Sequence, residues 1–377
     1  MKRRDVWFFC GLFAAFFALY ALTAQRGLGW GDSGEFQHRI LHCSGLLAGC
    51  SSYATAHPLY VLLGKGVCRT PFQVTLLSSF FGALSAAGLF LCTRKVMLAV
   101  VFGLSHMLWW LSCVAEVQTL NLAFTVFETL LFLRFLESRR TVWAVAALFL
   151  SGLHLEVHNF ALLALPVYGV VLLRSGLGVA IPSGFAWAVG ASGWLHCLVT
   201  RGPIDVLVGG YAAKVAGVLP GDFRVTGFNL VLAALSFFAP VALAWWNRDR
   251  LRGLTKNRVV LALLTVNLVF WIRYFVPDQA TFLLPTLFYV FLLIAPLELS
   301  RNRAVPLAIQ QVLLPLLVWQ ALSLLPVPRN RTPHPHRNEA SYFALPWKFN
   351  DDSADRCAAE VGGGWTGYPT FGKEGGR

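Results

Sequence analysis

Two carboxylates stand three residues apart in Trp30-Gly31-Asp32-Ser33-Gly34-Glu35-Phe36, set between glycines. If a helix starts there, Asp32 and Glu35 fall on one face. Ionised carboxylates in that position suit proton abstraction from a hydroxyl, or ligation of a hard cation such as Mg²⁺ or Mn²⁺. A plain helix cap by Asp32 or Ser33 is the simpler reading. It accounts for one acid, but not for the second or for the glycines. Other chemistry-bearing residues follow: His57 and Tyr60 in Ala56-His57-Pro58-Leu59-Tyr60, Glu116 in Ala115-Glu116-Val117-Gln118-Thr119-Leu120-Asn121, and Asp278 after Tyr274-Phe275-Val276-Pro277. His154, Glu156 and His158 lie at i, i+2 and i+4. The two histidines share a helical face and are compatible with a metal pair. The third ligand is off that face and the HExxH motif is not matched, so support for an acidic pocket is the other reading.

These residues are punctuation in a very apolar chain. Of 377 residues 56% are hydrophobic and 13% charged, against roughly 25% charged in soluble domains, and the mean hydropathy is +0.61. Apolar blocks of about 16–22 residues recur, close to the roughly 20 helical residues that cross a hydrocarbon core. The expected class is all-α: a polytopic transmembrane helical bundle of about eleven spans. The ten-residue alternation of a membrane β-barrel is absent. The net charge of +13 does not point to nucleic acid, because the basic residues sit in short gaps between apolar blocks, as cytoplasmic loops require. The block 6–24, preceded by Lys2-Arg3-Arg4, reads as a retained signal-anchor helix rather than a cleaved leader.

The gaps alternate in character. Thr93-Arg94-Lys95, Glu137–Arg140, Arg174-Ser175, Asn247–Arg258 and Arg301–Arg303 are basic. The opposite gaps hold Asp32, Glu35, Glu116, His154, Glu156, His158 and Asp278. One topology explains both sets, and ionisable residues at span edges are functional candidates because their desolvation is costly. The first outer loop, from Gly27 to about Pro71, contains the apolar run Pro58–Val67, too short to span and expected as a re-entrant or interfacial helix. Residues 1–325 form the expected membrane module; residues 326–377 read as a short polar non-cytoplasmic tail. Cys43 and Cys50 share the long loop and could close a short disulfide on an oxidising face. No phosphate-binding GxxxxGK[ST] loop or dinucleotide-binding GxGxxG fingerprint is present.

The ordered set carries a resemblance. GDSGEF, a His-Pro segment running towards Leu-Leu-Gly, and Trp109-Trp110 leading to the Glu116–Asn121 corner resemble the bacterial protein O-mannosyltransferase-like family, membrane glycosyltransferases of the GT-C fold. The likeness covers residues 28–165 and, more faintly, Tyr274–Pro285. It departs where a His-Pro-Pro-Gly-Tyr-Pro stretch is shortened to His57-Pro58-Leu59-Tyr60, and where Gln118 replaces an aromatic.

The resemblance implies transfer of a sugar from a polyprenyl-phosphate donor to a hydroxyl of a protein, lipid or glycan acceptor on the non-cytoplasmic face. Asp32 matches the general base. Glu35 and Glu116 would then shape the pocket, with Arg39, His57, Tyr60, His158, Arg273 and Asp278 as substrate-binding candidates. His57 and Arg273 are the first choices for the lipid phosphate, with Lys214 and Arg224 also on that face by topology. Besides donor and acceptor the expected partners are membrane lipids. The sequence requires no cofactor, although the carboxylates suit Mg²⁺ or Mn²⁺. The expected setting is a bacterial plasma membrane with the site facing outward. A multi-span transporter or flippase is the rival reading, disfavoured because the acids lie at the outer edges rather than on broken helices at the midplane.

Overall fold

A computed structural model describes residues 3–48, 50, 52–209, 223–249, 257–273, 279–297, 299–324, 343–349 and 351–360. Among them the regular elements are helices: α1 (Arg3–Thr23), α2 (Asp32–His42), α3 (Pro58–Val67), α4 (Pro71–Thr93), α5 (Val96–Gly103), α6 (His106–Ser112), α7 (Gln118–Ser138), α8 (Thr141–His154), α9 (Ala161–Ser175), α10 (Leu177–Gly190), α11 (Ser192–Arg201), α12 (Phe223–Trp246), α13 (Arg258–Arg273), α14 (Leu284–Leu293), α15 (Arg301–Leu324) and α16 (Ser353–Glu360). Five of the described helices are individually long and apolar enough to cross a membrane: α1, α4, α7, α15 and the Asn229–Trp246 part of α12. α4 and α7 are mostly buried, whereas α1 and α15 mostly face outward.

Contacts sort the helix ends into two faces, as the basic and acidic gaps predict. On the basic face Asp5, near the start of α1, pairs with Arg94 at the end of α4 (3.2 Å). Lys95 Nζ donates to the Leu297 carbonyl (2.8 Å). On the other face Gln25 N–H donates to Cys113 O (2.9 Å). Ser78 Oγ accepts from Glu116 N–H (2.9 Å) and donates to Glu116 O (2.9 Å). The run Pro58–Val67 forms α3 over the expected bounds, entered through Pro58 at its first turn.

Hydrocarbon offers no hydrogen bonds, so a helix break must be satisfied by protein. The break between α5 and α6 meets this demand through side chains from two other helices. Tyr20 Oη donates to Gly103 O (2.6 Å), and Met107 N–H donates to Ser236 Oγ (3.2 Å). Within α7, Asn121 Nδ2 donates to Gln118 Oε1 (3.1 Å). Asn121 Oδ1 lies 2.7 Å from His154 Nε2, which must donate there. His154 Nδ1 lies 3.3 Å from Glu128 Oε2, both side chains almost fully buried.

Helices α8 and α10 approach through glycine. A Cβ on Gly152 would lie 2.2 Å from Trp187 O, and one on Gly190 would lie 2.2 Å from Phe149 O. Backbone meets backbone on both sides, so no rotamer change can relieve a clash; small residues at such crossings are how membrane helices pack closely. Gly152→Val is expected to force the pair apart at a cost of about 1–3 kcal/mol. Thermal unfolding of the detergent-solubilised protein reads this out as a lowered Tm. An unchanged Tm would mean that the crossing contributes nothing to stability.

Candidate functional site

The WGDSGE loop is mounted rather than free. Gly31 has φ 60° and ψ −131°, a region that disfavours a side chain, and its carbonyl accepts from Gly34 and Glu35 N–H (3.1 Å each). Asp32 starts α2 with its carboxylate side exposed, and Glu35 is half-buried one turn later. Gln37 buckles the loop from beneath: Oε1 accepts from Gly29 N–H (2.9 Å), while Nε2 donates to Gly27 O (3.1 Å) and Pro71 O (3.2 Å). Nothing in the local pattern distinguishes Gln37 from a surface glutamine.

Arg39 is 1% exposed. Its guanidinium donates to Leu46 O (3.1 Å), Ala56 O (2.5 Å) and Thr55 O (3.4 Å), and it lies 5.8 Å from the Phe36 ring centroid. In this arrangement it braces the outer loop. Cys43 and Cys50, the candidate disulfide pair, are free thiols here, and burial raises Cys50 to about 11.

Phe36 gathers the next residues. Its ring is 5.0 Å from Tyr60 and 5.6 Å from His57. Tyr60 is fully buried, and its hydroxyl reaches Ser78 Oγ (3.0 Å). Ser78 in turn holds the Glu116 backbone, which places Glu116 half-buried at the same rim. His57 sits in left-handed backbone (φ 48°) at the start of α3 and stacks on His158 (5.2 Å, 24°). His57 Nδ1 is 2.7 Å from Val157 O. A carbonyl only accepts, so Nδ1 carries the proton and Nε2 is the acceptor. His158 Nδ1 accepts from Phe160 N–H (3.2 Å), so its Nε2 is the donor. Burial pushes His57 down to about 4, and His158 falls well below its usual range from burial and the facing His57. The pair is neutral at neutral pH: one acceptor beside one donor.

The His154–Glu156–His158 set diverges. His154 turns inward to Glu128 and His158 to His57. Glu156 is held by the Tyr53 hydroxyl and by Trp194 N–H (2.5 Å). Among the described residues no group of three or more His, Cys, Asp or Glu is placed to hold a metal ion. Arg273 ends α13, with its side chain outside the described part; Asp278, Lys214 and the Arg224 side chain also lie outside it.

Part of the stretch set apart as a tail belongs to this site. Trp30, 2% exposed, donates through Nε1 to Ser353 Oγ (2.7 Å), which donates to Asp351 Oδ1 (2.5 Å). Leu28 N–H donates to Asp355 Oδ1 (3.2 Å). A Cβ on Gly27 would lie 2.0 Å from Asp355 Oδ2, so a side chain there would displace the carboxylate that holds Leu28. Lys348 N–H donates to Thr23 O (2.8 Å). Trp347 packs on Trp109 (5.5 Å) and Phe343 on Trp110 (5.3 Å). Burial lowers the Lys348 amine to about 7. The strap therefore holds Leu28 and Trp30, just ahead of Gly31-Asp32.

Ser353→Ala is expected to weaken strap docking by about 1 kcal/mol, read as about fivefold faster amide exchange at Leu28 and Lys348. Unchanged exchange at both would remove the strap from the loop's support. The histidine pair sets a pH response. Its folded pKa values lie below the ordinary 6.5, so its contribution to stability is complete above pH 6.5 and is lost as pH falls towards 4. Tm should drop over that window in the wild type and drop less in a His57→Gln/His158→Gln variant; parallel profiles would rule the pair out as the cause.

No family profile matches the chain. The protein O-mannosyl-transferase TMEM260 of Mus musculus is 31% identical over 186 residues, covering 43% of this chain and 25% of that protein. The match therefore spans about a quarter of the relative's length. The crystal structure of ArnT from Cupriavidus metallidurans bound to undecaprenyl phosphate superimposes with a TM-score of 0.58 at 14% identity, over 88% of this chain and 67% of that one. The chain has the fold of the GT-C membrane glycosyltransferases and, in sequence, resembles a protein O-mannosyltransferase.

Proposed function

We propose that this protein is a membrane glycosyltransferase that moves a sugar, mannose by its sequence likeness, from a polyprenyl-phosphate donor to a hydroxyl, with a protein Ser or Thr as the favoured acceptor. The observation that carries this reading is the exposed Asp32 carboxylate at the start of α2, one turn before Phe36, whose ring meets His57 of a neutral histidine pair, in a fold shared with a protein that binds undecaprenyl phosphate.

In the proposed reaction Asp32 removes the acceptor proton as the hydroxyl oxygen bonds to the anomeric carbon. The bond from that carbon to the lipid phosphate oxygen breaks, and the phosphate keeps the electron pair. A carboxylate ionised at neutral pH is ready for the first task. Glu35 and Glu116 add negative potential at the rim. His57 Nε2 accepts from, and His158 Nε2–H donates to, hydroxyls of sugar or acceptor. Neither histidine brings positive charge at neutral pH, so the leaving phosphate needs a permanent cation. Arg273 serves on this reading. Arg26, exposed just beyond α1 and 4.3 Å from the Phe72 ring centroid, is a second cation at the same rim.

Purified protein in nanodiscs, supplied with polyprenyl-phosphate mannose and a Ser/Thr peptide, tests the reading. Asp32→Asn should lower transfer about 10²–10⁴-fold in a variant whose melting transition shows it folded. Full activity in that variant would remove Asp32 from the chemistry. Absence of donor binding to the wild type would instead favour a transporter.

A further inference from the structure

On the basic face, away from the candidate site, α12 and α15 leave a groove of about 560 Å³. It is lined on α12 by Phe238, Val241, Trp245 and Trp246, and on α15 by Leu307 and Gln310. Its walls face the surroundings: Val241 is 63% and Trp245 67% exposed. In a bilayer these walls meet acyl chains, and an apolar wall alone would accept any lipid.

Charge removes that indifference. Arg248 Cζ lies 5.5 Å from the Trp245 ring centroid, and Arg303 Cζ lies 5.9 Å from that of Trp246. Two exposed guanidiniums therefore cap the end of the groove where α12 finishes and α15 begins. These helices run antiparallel, so their end dipoles offset one another and the arginines set the sign. Arg301, two residues before Arg303, adds a further positive charge to the start of α15. Paired tryptophans at a span end also mark the membrane–water interface. Gln310 places an amide in the wall below the arginines, where the ester carbonyls of a glycerophospholipid lie beneath its phosphate.

We infer that this groove is a binding site for one anionic glycerophospholipid of the basic-face leaflet, with its acyl chain between α12 and α15 and its phosphate at Arg248 and Arg303. A guanidinium pairs well with phosphate oxygens, and its neighbouring indole keeps it oriented. The site is separate from sugar transfer and does not depend on the proposed activity. It binds in the leaflet opposite Asp32.

Native mass spectrometry of the full chain, released from nanodiscs of equimolar phosphatidylglycerol and phosphatidylcholine, tests the assignment. Phosphatidylglycerol should be retained preferentially, by about fivefold for each arginine, and salt should erode the preference. Arg248→Gln with Arg303→Gln should abolish it, while Arg303→Lys should keep part of it. If the double variant is unstable, the salt titration on wild-type protein decides alone. Equal retention of both lipids, a preference that survives the double substitution, or displacement of phosphatidylglycerol by polyprenyl phosphate at equal concentration would each overturn the assignment.

Discussion

A buried guanidinium without a carboxylate beside it has to be solvated by something, and around Arg39 that something is the chain itself. Removing such a charge from water is expensive unless hydrogen bonds replace the lost hydration. The acceptors are the carbonyls of Leu46, Thr55 and Ala56, residues that can converge on one group only if the loop folds back over α2. That closure delivers the chain to His57 in left-handed backbone, and Pro58 then starts α3. Phe36, under the guanidinium, is the surface on which His57 and Tyr60 settle. The geometry of the candidate site is thus largely a consequence of how one positive charge is accommodated.

The membrane imposes the same rule more severely. Where α5 gives way to α6, a carbonyl and an N–H lose their helical partners, and Tyr20 and Ser236 supply replacements. Along α7 the polar residues Gln118, Asn121 and Glu128 form a stripe joined to His154 of α8. The stripe fixes α8 just before the turn that carries Glu156 and His158. Ser78 does similar work on the other side, tying α4 to the backbone of Glu116 and to the Tyr60 hydroxyl. Polar side chains inside the bundle hold the outer rim in place.

These two constraints explain what could be read from the chain alone. Hydropathy and the alternation of basic and acidic gaps are properties of consecutive residues, so the helical class and the two faces were legible. So was α3, an apolar run entered by His57-Pro58 and left at Cys68. Asp32, Glu35, His57 and Glu116 stood out because acids and histidines are rare in so apolar a sequence. Arg39 did not reveal its task, since an arginine at a membrane edge looks the same whether it faces a phosphate or three carbonyls. Ser353 and Asp355 were invisible for a different reason: their partners lie 323 and 327 residues away, and no local pattern encodes such a pairing. The neutrality of His57 and His158 was equally hidden, because it comes from burial, with Arg39 acting on His57 and His57 on His158.

That neutrality changes how charge must be distributed in a lipid-phosphate reaction. A histidine with its pKa near 4 can read a hydroxyl, but offers a departing phosphate no net charge at neutral pH. In the proposed reaction a permanently charged arginine would stabilise that phosphate without competing for the acceptor proton. It must also reach the lipid's headgroup level while staying clear of the carboxylates that would neutralise it. Arg39 turns its Nη1 and Nη2 to three loop carbonyls. Arg26 meets the positional demand, exposed where α1 leaves the bundle and steadied by Phe72 at the start of α4. On the proposed reading, a base on the α2 loop, neutral rings for hydroxyls and arginine at the edge for phosphate would keep base and counter-charge from cancelling one another within one small rim.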